Sequence, residues 1–344
     1  MNIIQKIDLE IYITVFNSKR EVIDILPFPK KDMKDIKYYL YKKGDDTKQE
    51  ILLQKFENRL EFYRTGSQYV NISCSLAESE ERIIKNEDLA LTLKINYDDF
   101  IGVEMRDSEL VFYSTYFPRE GCCSCKQPSK RVRKIMEHVF VCEKDTHEKL
   151  RDEILESFSL FCKKNYNAGK IEHPDNQYDL SGIKSYEKRV LVIINPVGGQ
   201  GKALQIYESM EKYIKSSGIL PTVFQTKHFK HAYEFIRDME KEDFIKYYAI
   251  VTVAGDGIAH EITNAFYNRL DHQELTLRIS CLNGGSACGL ASSCTREWSL
   301  DCTQDNCVYV LIRSRFNKSK IIKYDINDDR NLVVYGNLCF LYGF

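Results

Sequence analysis

The sequence predicts an α/β fold class, in which a β-rich N-terminal domain precedes a doubly wound parallel sheet. Short runs of β-branched and aromatic residues recur between charged turns before residue 165. After residue 188, apolar strands alternate with helical segments, which is typical of a parallel sheet with helices on both faces. Several of these strands run into glycine-bearing loops. Because ligands bind such sheets outside the carboxyl ends of the strands, we expect the functional site there.

Size and charge allow two domains and exclude some classes of partner. The chain has 344 residues, more than the roughly 250–300 at which a single core stops growing. Its 49 Lys+Arg and 50 Asp+Glu leave a net charge of −1, so no overall field attracts nucleic acid, and we expect none as a partner. Lys6, Asp8 and Glu10 interrupt any N-terminal signal peptide. We therefore expect a cytoplasmic protein with reduced cysteines, meeting membranes only through a local patch.

The N-terminal part, residues 1–165, combines short strands with one helix. A stripe of apolar residues at helical spacing, including Leu150, Ile154 and Phe158, predicts a helix over 147–164. Antiparallel strands closed by such a helix resemble a pleckstrin-homology domain. The predicted strands are 51–63, 69–74, 89–95, 101–103, 110–116 and 139–142.

A polar segment rich in Asn, Asp, Gly, Ser and Pro predicts a linker over 166–187. The second domain, 188–344, follows it with alternating elements. Predicted strands are 189–194, 222–225, 249–253 and 277–282, and predicted helices are 203–216, 231–241 and 258–270. The last residues, 332–344, are expected to be an edge strand without a partner.

The first glycine-bearing loop runs from Asn195 to Lys202. Its glycines allow backbone N–H groups to approach phosphate oxygens, and the following helix adds its positive end. It is not a Walker A loop, because Pro196 replaces the leading glycine and Ala203 replaces the serine or threonine that holds magnesium. The alternative is a tight connection without a ligand.

The second loop places Asp256 between Gly255 and Gly257, just after a buried strand. An exposed carboxylate at a sheet edge suits a general base or a magnesium ligand. The alternative is a helix N-cap. Glu261, five residues later, is expected near the same edge of the sheet. In the third loop, 282–291, Ser286 and neighbouring N–H groups suit phosphate binding, with an N-cap again as the alternative.

The four segments VLVIINPVGGQGKALQIYESM, QTKHFKHA, VAGDGIAHEITNAFYNR and LNGGSACGLASS resemble the diacylglycerol kinase catalytic domain superfamily, and look most like sphingosine kinases. The resemblance covers residues 188–344. It implies ATP and Mg²⁺ as cofactors and Asp256 as the base that deprotonates a lipid hydroxyl. Together with the first-loop glycines, the implied nucleotide-binding residues are Asn195, Pro196, Val197, Gly199, Gly201, Thr226, Lys227, His228, Phe229, Lys230, Gly255, Gly257, Glu261, Gly285, Ser286 and Ala287.

The sequence departs from this family in its third loop and at its end. Asn283, Ala287 and Cys288 replace the usual Pro, Gly and Asn. The chain stops where the family continues into a β-rich C-terminal lobe that carries most of the lipid pocket, so we expect that lobe to be missing. The chain is then a fragment, or it is not an active kinase by itself.

Two classes of function follow. The first is an ATP-dependent kinase that converts sphingosine to sphingosine 1-phosphate, brought to membranes by the pleckstrin-like domain. The second is a catalytically impaired, regulatory or lipid-binding relative. A ceramide or diacylglycerol kinase, or a kinase of a soluble substrate such as NAD, is a further alternative, and a homodimer is left open.

A cysteine cluster lies apart from these motifs. Cys122, Cys123 and Cys125 occupy a basic loop. Cys122 and Cys125, with His138 and Cys142 downstream, offer four zinc ligands. Their spacing fits no common zinc finger, so reduced thiols are favoured, with reversible S-acylation beside the basic residues as an intermediate alternative.

Overall fold

The protein is described by a computed structural model. The described residues are 12–16, 22–27, 38–42, 50–65, 89–107, 109–120, 127–128, 131–141, 147–166, 184–284, 288–315, 321–326 and 332–336. The predicted strand 69–74 and most of the predicted linker lie outside these ranges. So do the predicted site residues Gly285, Ser286 and Ala287 and the cysteines Cys122, Cys123, Cys125 and Cys142.

The N-terminal part is an antiparallel sheet followed by a long helix. Seven strands pair in the order β6-β5-β4-β3-β11-β8-β7. The elements are β1 (Tyr12–Phe16), β2 (Val22–Pro27), β3 (Tyr38–Lys42), β4 (Glu50–Lys55), β5 (Arg59–Thr65), β6 (Leu89–Asn96), β7 (Phe100–Arg106), β8 (Glu109–Tyr116), β9 (Arg119–Glu120), β10 (Gln127–Pro128), β11 (Lys134–Val141) and α1 (His147–Asn165). The antiparallel strands and the helix are confirmed. The pleckstrin-homology-like assignment stays a prediction.

One predicted strand, 51–63, is in fact a hairpin of β4 and β5. The chain turns at 56–58, where the N–H of Phe56 donates to the carbonyl of Arg59 at 2.9 Å. The turn brings Leu53 opposite Phe62, and both side chains are fully buried. The turn could not be recognised from the sequence, because both strands supply residues to one core and the apolar pattern therefore continues across it.

The second part alternates strands and helices. Four parallel strands pair in the order β13-β12-β14-β15. The elements are β12 (Lys188–Ile194), α2 (Gly198–Gly201), α3 (Ala203–Ser216), β13 (Ile219–Gln225), α4 (His231–Asp238), α5 (Lys241–Phe244), β14 (Ala249–Ala254), α6 (Asp256–Tyr267), β15 (Ile279–Asn283), α7 (Gly289–Arg296), α8 (Gln304–Arg313), β16 (Ile322–Ile326) and β17 (Leu332–Gly336).

Both faces of this parallel sheet are covered. Val192 and Ile194 belong to one buried cluster with residues of α3 and α8, whereas Leu191 and Ile193 belong to another with residues of α4 and α6. Successive side chains of a strand point to opposite faces, so a strand buried on both sides is apolar throughout. The predicted doubly wound sheet is therefore confirmed.

Several predicted elements differ from the structure in their bounds or pairing, among them the strand predicted at 222–225, which begins at Ile219. The predicted helix 231–241 ends at Asp238, because the backbone is extended at Met239, and resumes as α5. The predicted helix 258–270 begins earlier, at Asp256, because Gly255 takes the extended N-cap conformation. The prediction of an unpaired last strand was wrong for 332–336, since β17 pairs antiparallel with β16.

The two parts pack closely against each other. The fully buried Arg313 of α8 donates from Nη2 to the carbonyls of Tyr97 and Asp98, at 3.1 and 2.6 Å. One continuous apolar cluster includes the N-terminal sheet and one face of the parallel sheet. The domain limits 1–165, 166–187 and 188–344 stay a prediction. Among the helices of the described ranges, none has the length and apolar character needed to cross a membrane.

Candidate active site at the carboxyl edge of the parallel sheet

The candidate site lies at the carboxyl ends of β12 and β14. The chain from β12 leads to its neighbour β13 on one side, whereas the chain from β14 leads to β15 on the other. The strand order therefore reverses between β12 and β14, and such a reversal opens a crevice in which ligands bind. The two strands are joined beyond their ends, since the N–H of Asn195 donates to the carbonyl of Val253 at 3.4 Å.

The first loop forms a tight turn at this crevice. The Asn195 side chain accepts a hydrogen bond from the N–H of Val197 at 3.2 Å, and its carbonyl accepts one from Gly198 at 3.0 Å. Gly201 has φ of +75°, a left-handed conformation that favours glycine. Val197 is 83% exposed. Asn195, Pro196, Val197, Gly199 and Gly201, all predicted to bind nucleotide, lie together here at the start of α2 and α3.

The second predicted segment follows β13 and lies beside the first. Thr226 is buried, and its N–H and Oγ1 donate to the carbonyl of Ile194 at 2.9 and 3.4 Å. This contact fixes the segment to the end of β12. Phe229, in contrast, is 81% exposed. The segment consists of Thr226, Lys227, His228, Phe229 and Lys230, and it leads into α4.

Asp256 is the first residue of α6, and its carboxylate reaches the start of α7. Oδ2 accepts a hydrogen bond from the N–H of Gly289 at 2.7 Å, and Oδ1 accepts one from Leu290 at 3.0 Å. The thiol of Cys288 lies 3.5 Å from Oδ1. The N-cap alternative was therefore wrong for α6, whose N-cap is Gly255. Asp256 instead satisfies amide groups of a different helix.

This arrangement holds a carboxylate between two helix N-termini. The positive ends of α6 and α7 favour negative charge, both on Asp256 and on a phosphate beside it. An ionised carboxylate has about four lone-pair positions, so two amide donors leave acceptor capacity for a further proton donor. Asp256 is half-buried, and therefore both fixed in position and within reach of a ligand.

Two glycines shape the walls of the crevice. A Cβ at Gly284 would lie 2.8 Å from the backbone N of Ala254 and the carbonyl carbon of Val253, so only glycine allows this close approach of the third loop to β14. A Cβ at Gly257, in contrast, would meet nothing within 4 Å. Among the described residues, the surface at Gly257, next to Asp256 in the chain, is therefore open.

Glu261 lies in the second turn of α6. Its Oε2 atom is buried and accepts no hydrogen bond among the described residues. Five residues along a helix correspond to a rotation of about 140°, so Glu261 and Asp256 project from different sides of α6. The neighbouring His260 is partly buried, and this burial lowers the pKa of its imidazole.

Sequence reasoning missed the partners of Asp256. It treated Cys288 only as a departure from the family pattern, but Cys288 is the N-cap of α7 and its sulfur accepts from the N–H of Ala291 at 3.4 Å. The N-cap alternative for the third loop pointed to this region. That Gly289 and Leu290 donate to Asp256 depends on how two helices pack, which their sequence spacing does not reveal.

The cysteine cluster, for which zinc was an alternative to reduced thiols, is largely outside the described residues. His138, its described member, lies 2.8 Å from the Ser114 hydroxyl through Nε2, and burial lowers the pKa of its imidazole. In the part of the chain that the structure describes, no group of three or more His, Cys, Asp or Glu residues is arranged to hold a metal ion. The zinc and S-acylation hypotheses both stay untested.

Comparison with protein families matches residues 189–324 to the diacylglycerol kinase catalytic domain. The match spans less than half of the 344-residue chain. Sphingosine kinase 1 of Mus musculus is 29% identical over 163 residues, which are 45% of this chain and 41% of that protein. Sphingoid long chain base kinase 5 of Saccharomyces cerevisiae is 32% identical over 142 residues, 40% of this chain and 20% of that protein. The resemblance noted in the sequence is thereby confirmed.

Other relatives of the family show the same partial coverage. Sphingosine kinase 1 of Arabidopsis thaliana is 33% identical over 130 residues, 37% of this chain and 26% of that protein. A solved structure of a diacylglycerol kinase from Bacillus anthracis str. Sterne covers 41% of this chain and 47% of its own, with 22% identity and a TM-score of 0.29. The chain thus spans 41% or less of the length of the curated relatives named here.

Proposed function

We propose that this protein is an ATP-dependent lipid kinase that phosphorylates the primary hydroxyl of a sphingoid base. The observation that carries the proposal is the Asp256 carboxylate, which lies at the reversal of strand order between two helix N-termini. The family assignment of residues 189–324 and the printed names of the relatives support the kinase and its substrate class.

Asp256 acts as the general base. Its carboxylate accepts the proton of the lipid hydroxyl as the hydroxyl oxygen attacks the γ-phosphorus of ATP, and the bond to the β-phosphate oxygen breaks to release ADP. The Gly289 and Leu290 amides hold the carboxylate in one orientation, so that it does not have to be ordered during the reaction. The carboxylate is thus already oriented when the proton and the phosphoryl group are transferred.

The nucleotide lies across the ends of β12 and β13 in this proposal. Asn195, Pro196 and Val197 contact it from the first loop, and Thr226 to Lys230 contact it from the second segment. The exposed side chains of Val197 and Phe229 are available for this contact because neither packs into the core. The third loop, with Gly285, Ser286 and Ala287, completes the phosphate site.

Magnesium fits this site through carboxylate oxygens. Mg²⁺ in kinases is held by one or two carboxylates together with substrate phosphates. Asp256 would supply one such carboxylate, whereas Glu261 projects from a different side of α6. A magnesium ion held there would supply positive charge against the negative charge that develops during transfer.

The proposed setting is the cytoplasmic surface of a membrane, where the lipid substrate resides. The N-terminal domain brings the catalytic domain there, and a homodimer is a further part of the proposal. Vesicle sedimentation of the chain, with and without sphingosine in the vesicles, tests this part of the proposal. A chain that stays in the supernatant with both kinds of vesicle contradicts it.

The substrate is tested with γ-labelled ATP, Mg²⁺ and separate mixed micelles of sphingosine, phytosphingosine, ceramide and diacylglycerol, with NAD as a soluble acceptor. We expect label in the two sphingoid bases. The Asp256→Asn variant should abolish it, whereas the matched variant Asp238→Asn, at an exposed residue of α4, should not.

Label that appears only in ceramide, diacylglycerol or NAD would refute the proposed sphingoid substrate but would still support a kinase. ATP binding without any labelled acceptor would favour the regulatory relative, whose specific support is the altered third loop with Cys288. Absence of both transfer and ATP binding would refute the nucleotide site.

A further inference from the structure

Two buried thiols meet beneath the candidate active site. Cys281 lies in β15 and Cys288 is the N-cap of α7, and their sulfur atoms are 3.2 Å apart. Each residue is 3% exposed. The six cysteines of the described ranges are free thiols. The pair is therefore reduced, with its two sulfurs already in contact.

We propose that Cys281 and Cys288 are a redox modification site, which a small hydroperoxide converts to a disulfide. A disulfide needs its sulfurs at about 2.05 Å, so they must approach by a little over 1 Å. Because Cys288 is the N-cap of α7, closing this distance requires a movement at that helix end. The proposal does not depend on the proposed kinase activity.

The reaction consumes one hydroperoxide for each disulfide. Cys288 is the attacking residue, because the hydrogen bond with Cys288 and burial raise the pKa of the Cys281 thiol. The Cys288 thiol gives up its proton as its sulfur attacks a peroxide oxygen, the O–O bond breaks, and the departing hydroxide takes up that proton. With hydrogen peroxide the products are a sulfenic acid and water. The second thiol then attacks the sulfenic sulfur, and the S–O bond breaks to release another water. In sum, two thiols and one H₂O₂ give one disulfide and two H₂O.

Oxidation changes the surroundings of Asp256. The Cys288 thiol lies 3.5 Å from Asp256 Oδ1, and its hydrogen is lost when the disulfide forms. The disulfide also links α7 to β15, next to the Gly289 and Leu290 amides that hold the carboxylate. Where the proposed function holds, the redox state of the pair therefore alters the position of the base.

A second pair of thiols, Cys302 and Cys307, is the natural competitor for the oxidant. A hydrogen bond with Cys307 lowers the pKa of the half-buried Cys302 thiol to about 6. A lowered thiol pKa favours reaction of Cys302 with peroxide over reaction of the buried Cys281 and Cys288. A disulfide, however, also requires two sulfur atoms that can approach each other. The experiment therefore has to distinguish the two pairs.

Peptide mapping makes this distinction, because trypsin places the pairs in separate peptides. Cleavage after Arg278 and Arg296 gives the peptide 279–296, with Cys281, Cys288 and Cys294, and cleavage after Arg313 gives 297–313, with Cys302 and Cys307. The reduced full chain is treated with hydrogen peroxide, denatured, alkylated, digested and analysed by mass spectrometry.

We expect peptide 279–296 to lose two hydrogens, with Cys294 alkylated, and to regain two alkylation sites after dithiothreitol. Cys281→Ser should leave Cys288 alkylated, whereas the matched variant Cys294→Ser should leave the disulfide intact. Full alkylation of 279–296 while 297–313 is oxidised, or a linkage through Cys294, would overturn the proposal. Mapping of the unmodified sequence decides the question even if a variant does not fold.

Discussion

The carboxylate of Asp256 lies 2.7 Å from the backbone nitrogen of Gly289, so the first residue of α6 caps the start of α7. Two helices that follow neighbouring strands are thereby joined at their positive ends. A single negative side chain satisfies amide groups that would otherwise lack a partner in α7. The contact gives Asp256 a structural role, which can be measured separately from its proposed catalytic role.

The structural role predicts a loss of stability on truncation. Asp256→Ala removes the acceptor of two helix N–H groups, so we expect the free energy of unfolding to fall by about 1–3 kcal/mol. Urea denaturation measures it. Asp238→Ala, at an exposed carboxylate paired only with its neighbour Arg237, is the control and should leave the midpoint unchanged. Equal midpoints for both variants would contradict the capping contact.

A pair of glycine variants tests the contact between the N-terminal sheet and α3. A Cβ at Gly102 would lie 2.4 Å from the backbone of Ser216, so Gly102→Ala must push β7 and α3 apart. We expect it to lower the free energy of unfolding by about 3 kcal/mol, at the upper end of overpacking costs.

The matched control for Gly102→Ala is Gly257→Ala. It adds the same methyl group in the first turn of α6, where nothing lies within 4 Å. It should leave stability unchanged or raise it by up to about 1 kcal/mol, because alanine favours helices over glycine. If Gly102→Ala is as stable as this control by thermal unfolding, the two parts of the chain do not pack as described.

Lys188 predicts an unusual pH dependence. Its amine donates to the Ser314 hydroxyl at 2.9 Å, and burial lowers the pKa of this amine to about 8. Between pH 8 and roughly 10.4, the ordinary lysine value, the unfolded chain holds a proton that the folded chain has lost. Stability supplied by this residue therefore rises with pH across that window.

Lys188→Met removes the titration and keeps the length of the side chain. We expect the variant to be relatively more stable at pH 7.5, and its advantage over the unmodified chain to shrink by about 2 kcal/mol by pH 10. Urea titrations of both proteins at a series of pH values measure the difference. A difference that is constant with pH would show that Lys188 is not desolvated in the folded chain.

Replacing Asn306 should also destabilise the contact between the two parts of the chain. Its fully buried carboxamide donates to the carbonyls of Arg131 and Asp301, both at 2.8 Å, and accepts from the N–H of Arg133 at 3.1 Å. Asn306→Ala removes the hydrogen-bond partner of these two carbonyls and this N–H group. We therefore expect the free energy of unfolding, measured by urea denaturation, to fall by about 3 kcal/mol. Asn268→Ala, at an exposed amide, should have little effect, and similar losses in both would contradict the buried network.

The order of strands and helices in residues 188–313 could be predicted because the central strands β12 and β14 are buried on both faces. Residues 190–194 form a continuous apolar run, and such runs between helical patterns leave little choice of fold. The break at Met239 was missed because helical periodicity continues across it. The turn at 56–58 was missed because β4 and β5 both supply apolar residues to one core, so the apolar pattern continues across the turn.

The position of Asp256 in the site was predictable, but its partners were not. A carboxylate between two glycines after a buried strand falls at the edge of a parallel sheet, whatever the rest of the chain does. Its contacts with Gly289 and Leu290 arise from the packing of α6 beside α7, which no local pattern encodes. The contact between Cys281 and Cys288 was missed likewise, because seven residues and a change of element separate them.

The most direct test of the central claim is the rate of phosphoryl transfer from ATP to sphingosine by the chain and by Asp256→Asn, measured beside their ATP affinities. Loss of a general base predicts a rate at least about 100-fold lower for the variant, with ATP affinity unchanged. Equal transfer rates for the two proteins would contradict the assignment of Asp256 as the base.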